Sequence, residues 1–310
     1  MKKSHVIALL IAVFILAACG KGAVPTTGAT EAQIEGSTES TPIPPAATST
    51  DEPPSGSPAL APDPQEVTFQ ASDGQELKGL YYPAAINPAP VVVFMHWVGG
   101  DKSDWYEIAV WLQNRGQANP FPNPSDEPWW DPTWFPAVPA DRSYGVFIFS
   151  FRGCTPYKVG CTDGGPEVWL LDAQAAMLEA SQLEGVDPTQ IVAIGSSIGA
   201  DGAPDACFWL NEQKPGSCKG ALSLSPGGFL KIPYPVAVLT LGKNQPPVAA
   251  WCLADETEFG VCESAEMVDN PEYMDFMIPG GGHGNMLLRP GLEPLPMQTI
   301  LDFLSATVDP

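Results

Sequence analysis

Ile191-Val192-Ala193-Ile194 runs straight into Gly195-Ser196-Ser197-Ile198-Gly199, and a helical stretch from Ala200 to Leu210 follows. The first four residues read as a strand buried on both faces. The next five spell Gly-x-Ser-x-Gly, a turn so sharp that a side chain at either glycine would crowd it. Ser197 is thereby offered at the carboxyl end of a strand and at a helix N-terminus, where developing negative charge is favoured.

Working outward, the same kind of apolar run recurs at Val91 to Met95, Gly145 to Phe151, Ala221 to Ser225, Val236 to Leu241 and Met274 to Ile278. Each is read as a strand. Helical spacing of apolar residues lies between them, over Asp104 to Asn114, Val168 to Leu183 and residues 295–305. Strands alternating with helices imply right-handed crossovers and a mostly parallel sheet with helices on both faces. Ahead of this, Val67-Thr68-Phe69 and Leu77 to Tyr81 flank Ala71-Ser72-Asp73-Gly74, the pattern of an antiparallel hairpin. The predicted fold class is therefore α/β, with one folded domain over residues 66–310.

A serine hydroxyl needs a base before it can act as a nucleophile. The chain has three histidines. His5 lies in the leading apolar segment and His96 ends the Val91–Met95 strand. His283 sits in Pro279-Gly280-Gly281-Gly282-His283-Gly284, between the last strand and the last helix. Elimination selects His283 as the base.

These motifs resemble those of the α/β-hydrolases. Gly195 to Gly199 is similar to their nucleophile elbow, and the chain order of serine, acid and histidine matches theirs. His96-Trp97-Val98-Gly99-Gly100 resembles the His-Gly-x-Gly loop that supplies one oxyanion-hole amide, with Trp97 where the family has glycine. Ile198, after the nucleophile, would give the other amide. Either Trp97 or Val98 would give the first. His96 itself reads as a brace for this loop. Phe149 to Gly153 resembles Asp-x-Arg-Gly with Ser150 replacing the aspartate, and Arg152 reads as structural. The resemblance spans residues 66–306 and is nearest in style to dienelactone-hydrolase-like members. It implies a Ser-His-acid triad, an acyl-enzyme intermediate and no cofactor.

The acid is the least legible member. The family places it after the strand expected at Val236–Leu241, yet Gly242-Lys243-Asn244-Gln245 follow there. The rest of that loop offers Asp255, Glu256, Glu258 and Glu263. Asp255 is the chosen acid for its short side chain and its closeness to Trp251-Cys252, with Glu256 as runner-up and an amide at Asn244 as the third option.

Seven cysteines are present. Cys19 closes Leu16-Ala17-Ala18-Cys19, after Lys2, Lys3 and the apolar run Val6 to Ala18. This resembles the bacterial lipobox, in which the signal is cut before a cysteine that then carries lipid. The expected organisation is a signal peptide at 1–18, lipid attachment at Cys19 with a flexible Pro/Ser/Thr-rich tether to residue 65, and the domain thereafter. That address is the bacterial cell envelope, outside the cytoplasm. The other six cysteines fall into three local pairs, Cys154–Cys161, Cys207–Cys218 and Cys252–Cys262, as expected of disulfides in an oxidising compartment. No Cys-x-x-Cys occurs, and no metal site is predicted.

The formal net charge of −22 argues against nucleic acid and anionic lipid headgroups as partners. A small-molecule ester is the expected substrate. Loops that follow strands should surround Ser197, bringing Trp97, Tyr157, Phe229, Tyr234 and Trp251 to a rim suited to apolar groups. The Trp- and Pro-rich segment 118–140 follows a helix, so it is expected at the opposite edge of the sheet, as packing. The sequence reading is a carboxylesterase-like serine hydrolase. The alternatives are an inactive hydrolase fold serving as a surface binding module, or a small serine peptidase.

Overall fold

The computed structural model of the chain describes residues 57–308, apart from Lys158. The expected signal peptide, Cys19 and most of the tether lie outside these residues. Residues 57–65, read from sequence as the end of the tether, are tied to the domain. The Pro58, Leu60 and Pro62 carbonyls accept from Asn87, Arg115 and Gln113.

Eight strands form one sheet in the order β1-β2-β4-β3-β7-β8-β9-β10. They are β1 (Gln65–Gln70), β2 (Glu76–Tyr82), β3 (Ala89–Met95), β4 (Gly145–Phe149), β7 (Val186–Ser196), β8 (Cys218–Leu224), β9 (Ala249–Ala254) and β10 (Tyr273–Met277). The hairpin β1–β2 is antiparallel, and β2 joins β4 antiparallel. From β4 to β10 every pairing is parallel. A separate small hairpin, β5 (Cys154–Thr155) and β6 (Gly160–Cys161), rises after β4.

Alternation along β3 shows how the layers form. Val91, Val93 and Met95 face one core with α2 (Pro166–Ala180), α3 (Ile198–Gln213), α4 (Tyr234–Gly242) and α5 (Gly260–Glu266). Val92 and Phe94 face the other with α1 (Tyr106–Gln113) and α6 (Pro296–Thr307). A strand exposes successive side chains to opposite faces, so a strand covered on both sides must be apolar throughout. All seven residues of β3 are buried.

Two expectations are corrected. Val236–Leu241 is part of helix α4, not a strand. Tyr234, Val238 and Leu241 are buried while Val236 is exposed, which is helical spacing; a strand would have paired Val236 with Val238 on one face. A short apolar run fits either period, and here Pro235 sits comfortably in the first helical turn. The strand at this point of the topology is β9, the apolar Ala249-Ala250-Trp251-Cys252-Leu253-Ala254. The second correction concerns segment 118–140. It starts at the far edge, but the connection from α1 to β4 is long enough to climb back. Trp129 and Trp130 end up against Tyr157 of the β5–β6 hairpin, centroids 5.6 and 5.7 Å away, and Trp129 is 6.1 Å from Trp97. The Trp130 indole N–H donates to the Ser103 carbonyl. The packing role holds, on the carboxyl edge of the sheet.

All three local disulfides are present: Cys154–Cys161, Cys207–Cys218 and Cys252–Cys262. No helix among the described residues is long and apolar enough to cross a membrane.

Candidate active site

Ser197 lies between the end of β7 and the first turn of α3, with φ +54° and ψ −112°. Such a conformation is costly for a side-chain-bearing residue and persists only where the surroundings enforce it. Here two contacts do so. A Cβ on Gly195 would lie 1.9 Å from the Gly199 carbonyl oxygen, and one on Gly199 would lie 2.2 Å from the Met95 carbonyl oxygen. Only glycine lets β7, α3 and the end of β3 approach this closely. The Ser197 N–H donates to the Leu224 carbonyl of β8, and the Asp201 N–H donates to the Ser197 carbonyl. The Ile198 amide opens α3 and has no partner within the helix, the usual state of a first-turn N–H.

His283 meets Ser197 from the loop after β10. The Ser197 hydroxyl donates to His283 Nε2 at 2.8 Å. His283 Nδ1–H donates to Glu258, at 2.9 Å from Oε1 and 3.0 Å from Oε2. A carboxylate can only accept here, so it fixes the tautomer with Nε2 free to take the serine proton. Gly284 has φ +61°, and a Cβ there would lie 2.9 Å from Ser196 Oγ and 3.0 Å from the Trp97 ring. The glycine run thus lets the histidine loop lie on the elbow and on the Trp97 loop together.

The partner of His283 is Glu258, and the choice of Asp255 is corrected. Asp255 accepts from the Gly282 N–H at 3.0 Å and from the Thr257 N–H and hydroxyl at 2.9 and 2.7 Å. Those bonds, the Gly282 amide first, hold its carboxyl far below the usual range. Both oxygens are already engaged in fastening the histidine loop to the turn after β9. Glu256 does similar work, accepting from the Gly280 N–H at 2.6 Å. Glu263 lies in the first turn of α5. Asn244 closes α4, its side-chain amide donating to the Thr240 and Leu241 carbonyls. Glu258 stands three residues beyond Asp255, inside the loop closed by Cys252–Cys262, and its longer side chain spans the distance to Nδ1. The available signal was the apolar run 249–254 ahead of these acids, which marks them as the loop after a strand.

The Trp97–Val98 loop is built around His96. Burial pushes the His96 imidazole down to about 4, so it is neutral. Its Nε2 accepts from the Phe151 N–H at 3.0 Å, and its Nδ1 donates to the Trp97 carbonyl at 2.7 Å. His96 therefore braces the loop, as read from the sequence. With the Trp97 carbonyl turned to His96, the N–H of Val98 on the same trans peptide points the opposite way. The Val98 carbonyl accepts from the Cys161 N–H at 3.0 Å, which fastens the disulfide hairpin to this loop. The Trp97 ring stacks on Tyr157, 5.9 Å apart at 13°. Asp104 is fully buried behind it. Arg152 is structural, binding Asp73 and Asp172.

Of the expected rim, Phe229 and Trp97 lie beside His283 or its loop, and Tyr157 backs Trp97. Tyr234 and Trp251 are buried and belong to the core, since one lies in α4 and the other in β9. The only group of side chains among the described residues with metal-ligand spacing is His96 with Cys154 and Cys161. The two cysteines are joined as a disulfide, which withholds their thiolates.

The sheet order, the elbow and the serine–histidine–carboxylate chain define the α/β-hydrolase fold, and solved structures agree. An esterase of Pyrobaculum calidifontis superimposes with a TM-score of 0.57 at 14% identity, over 80% of this chain and 87% of that one. A thermostable carboxylesterase cloned from a metagenomic library gives 0.54 at 13%, over 81% and 91%. A dienelactone hydrolase-like promiscuous phosphotriesterase from metagenomic libraries gives 0.50 at 13%, over 80% and 99%. At these identities the likeness establishes the fold. No protein-family model and no curated protein matches the chain.

Proposed function

We propose that the chain is a serine hydrolase that cleaves carboxylic esters, with Ser197 as nucleophile, His283 as general base and acid, and Glu258 as the carboxylate that orients and stabilises the imidazolium. One observation carries this reading: Ser197, His283 and Glu258 form a continuous hydrogen-bonded chain at 2.8 and 2.9 Å on a strained elbow. As Ser197 Oγ bonds to the ester carbon, its proton passes to His283 Nε2. The carbonyl oxygen becomes an oxyanion, facing the Ile198 amide and a second amide from Trp97 or Val98. The carbon–alcohol bond then breaks, and His283 returns the proton to the departing alcohol. Water attacks the acyl-enzyme with His283 again as base, releasing the acid and restoring Ser197.

The address forms the second part of the proposal. Cleavage before Cys19 and lipidation there would anchor the protein at the outer face of a bacterial membrane, and three disulfides suit such a compartment. Several acyl chains give a stable anchor, at roughly 0.8 kcal/mol per buried methylene. Cys19→Ala should move the protein from the membrane to the soluble fraction; unchanged fractionation would overturn the anchor. For the activity, the test is turnover of p-nitrophenyl acetate and butyrate by the wild type and by Ser197→Ala. The wild type should hydrolyse at least one and the variant neither. Equal rates in both proteins would overturn the mechanism.

A further inference from the structure

Phe229 stands on the open side of the site. Its ring meets the His283 imidazole edge-on, with centroids 5.7 Å apart and planes at 87°. It is 38% exposed, the one aromatic ring among the exposed large apolar side chains of the described residues. Its position does not depend on a loose loop. The loop 226–230 follows β8, and Asp201, four residues along from the nucleophile on α3, is 1% exposed beside it. Asp201 Oδ1 accepts from the Gly227 N–H at 3.2 Å, and Oδ2 accepts from the N–H groups of Phe229 and of Leu230. Charge-assisted bonds from one buried carboxylate to three amides fix the backbone of this loop. The ring folds back over Gly227, where a Cβ would lie 2.2 Å from it, so no side chain fits beneath.

The chemistry decides which half of an ester meets this ring. In acylation His283 Nε2 hands the serine proton to the oxygen of the leaving alcohol, so the alcohol departs on the histidine side. The acyl carbon stays bonded to Ser197 Oγ, with its oxygen turned to the Ile198 amide. A ring packed edge-on to His283 therefore faces the alcohol and not the acyl chain. The net charge of −22 disfavours anionic alcohols at the same place.

Resting on the esterase reading above, we propose that Phe229 is a specificity-determining residue for the alcohol moiety, that the preferred substrates are uncharged esters of apolar or aromatic alcohols, and that Asp201 is a positioning residue acting through Phe229. The atom balance is that of the proposed reaction: Oγ–C forms, C–O of the alcohol breaks, and the serine proton leaves on the alcohol.

Two ester series on the full-length protein test this. The first holds the acyl group as acetate and varies the alcohol from ethanol to butanol to benzyl alcohol. The second holds ethanol and varies the acyl group from acetate to butyrate. All acetates pass through one acetyl-enzyme, so alcohol selectivity is read in kcat/KM. The wild type should favour benzyl over ethyl acetate, and Phe229→Ala should cut that ratio by roughly three- to tenfold, the range of a single aromatic contact. The butyrate-to-acetate ratio should stay as it was, and Phe229→Leu should restore part of the benzyl preference. Asp201→Asn should lower the same ratio, and Gly227→Ala should do so by displacing the ring from below. Thermal melts establish that each variant is folded. A Phe229→Ala protein that loses activity equally on benzyl and ethyl acetate overturns the specificity role. Folded Asp201→Asn and Gly227→Ala proteins that keep the benzyl preference overturn the positioning role. A wild type that cleaves no ester in either series overturns the esterase reading, and this proposal with it.

Discussion

The two sides of the serine–histidine pair are built on different principles. On the Ser197 side, β7, the elbow and α3 are sealed: every residue from Ile191 to Cys207 is buried. On the His283 side, the loop after β9 is half open, with Glu258 34% exposed and the His283 side chain 35%. The sealed side is held by steric contact, where a single Cβ at Gly195 or Gly199 collides with backbone. The open side is held by carboxylates, with Asp255 and Glu256 fastening the histidine loop while Glu258 is left to face the imidazole. Steric constraint is written in residue type and can be read directly. Carboxylates that share a loop are chemically alike, and only their geometry separates a fastener of the loop from the partner of the imidazole.

That comparison can be broken most sharply at its centre. Ser197→Ala and His283→Ala should each lower ester turnover by on the order of 10⁴-fold or more, and the double variant by scarcely more, since the pair acts as a unit. Additive losses would mean that the two groups work separately. The next largest effect belongs to the acid. Glu258→Gln keeps the shape and removes the charge that stabilises the imidazolium, so turnover should fall by roughly several hundred-fold or more with KM little changed. Asp255→Asn should cost less, about tenfold, because it loosens the Gly282 contact without touching the imidazole. A reversal of these two magnitudes would make Asp255 the acid after all.

The smallest effect contrasts the buried carboxylates of α3 with those of the open loop. Asp205 is buried with no hydrogen-bond partner among the described residues, and burial together with the nearby Asp201 charge pushes its carboxyl up to about 8. In the unfolded chain the group ionises near pH ~4. The folded protein therefore holds a proton that the unfolded chain releases, so its stabilising share is complete below pH ~4 and is lost as pH rises toward about 8. Asp255 has the opposite sign, its carboxyl being held down by the Gly282 and Thr257 amides. Asp205→Asn should thus raise Tm relative to the wild type by a few degrees at pH 8, with little gain at pH 4. An equal shift at both values would show that the Asp205 proton has no part in it.

The fold was legible in sequence wherever one physical demand dominated. Val91–Met95 and Ile191–Ile194 must be apolar throughout because both faces are covered, and the Gly-x-Ser-x-Gly turn admits no other residue at its ends. Local cysteine spacing was sufficient for the three disulfides. Legibility failed where two periods fit the same residues. Val236–Leu241 satisfies strand and helix alike, and only burial of Val238 and Leu241 beside an exposed Val236 decides for the helix. That single misreading set the expected strand end at Gly242 to Gln245, so the acids in the turn after β9 were ranked by side-chain length and neighbours, and Asp255 stood ahead of Glu258. Segment 118–140 was misplaced for another reason: topology fixes where a connection begins, but a long one can cross to the other edge, as Trp129 and Trp130 do.

The central claim is that Ser197 is an activated nucleophile, and covalent labelling tests it most directly. Incubation of the full-length protein with a fluorophosphonate probe, followed by peptide mass mapping, should place one adduct on Ser197. Labelling should be lost in Ser197→Ala and slowed strongly in His283→Ala. An unlabelled wild type, or an adduct on any other serine, would contradict the account.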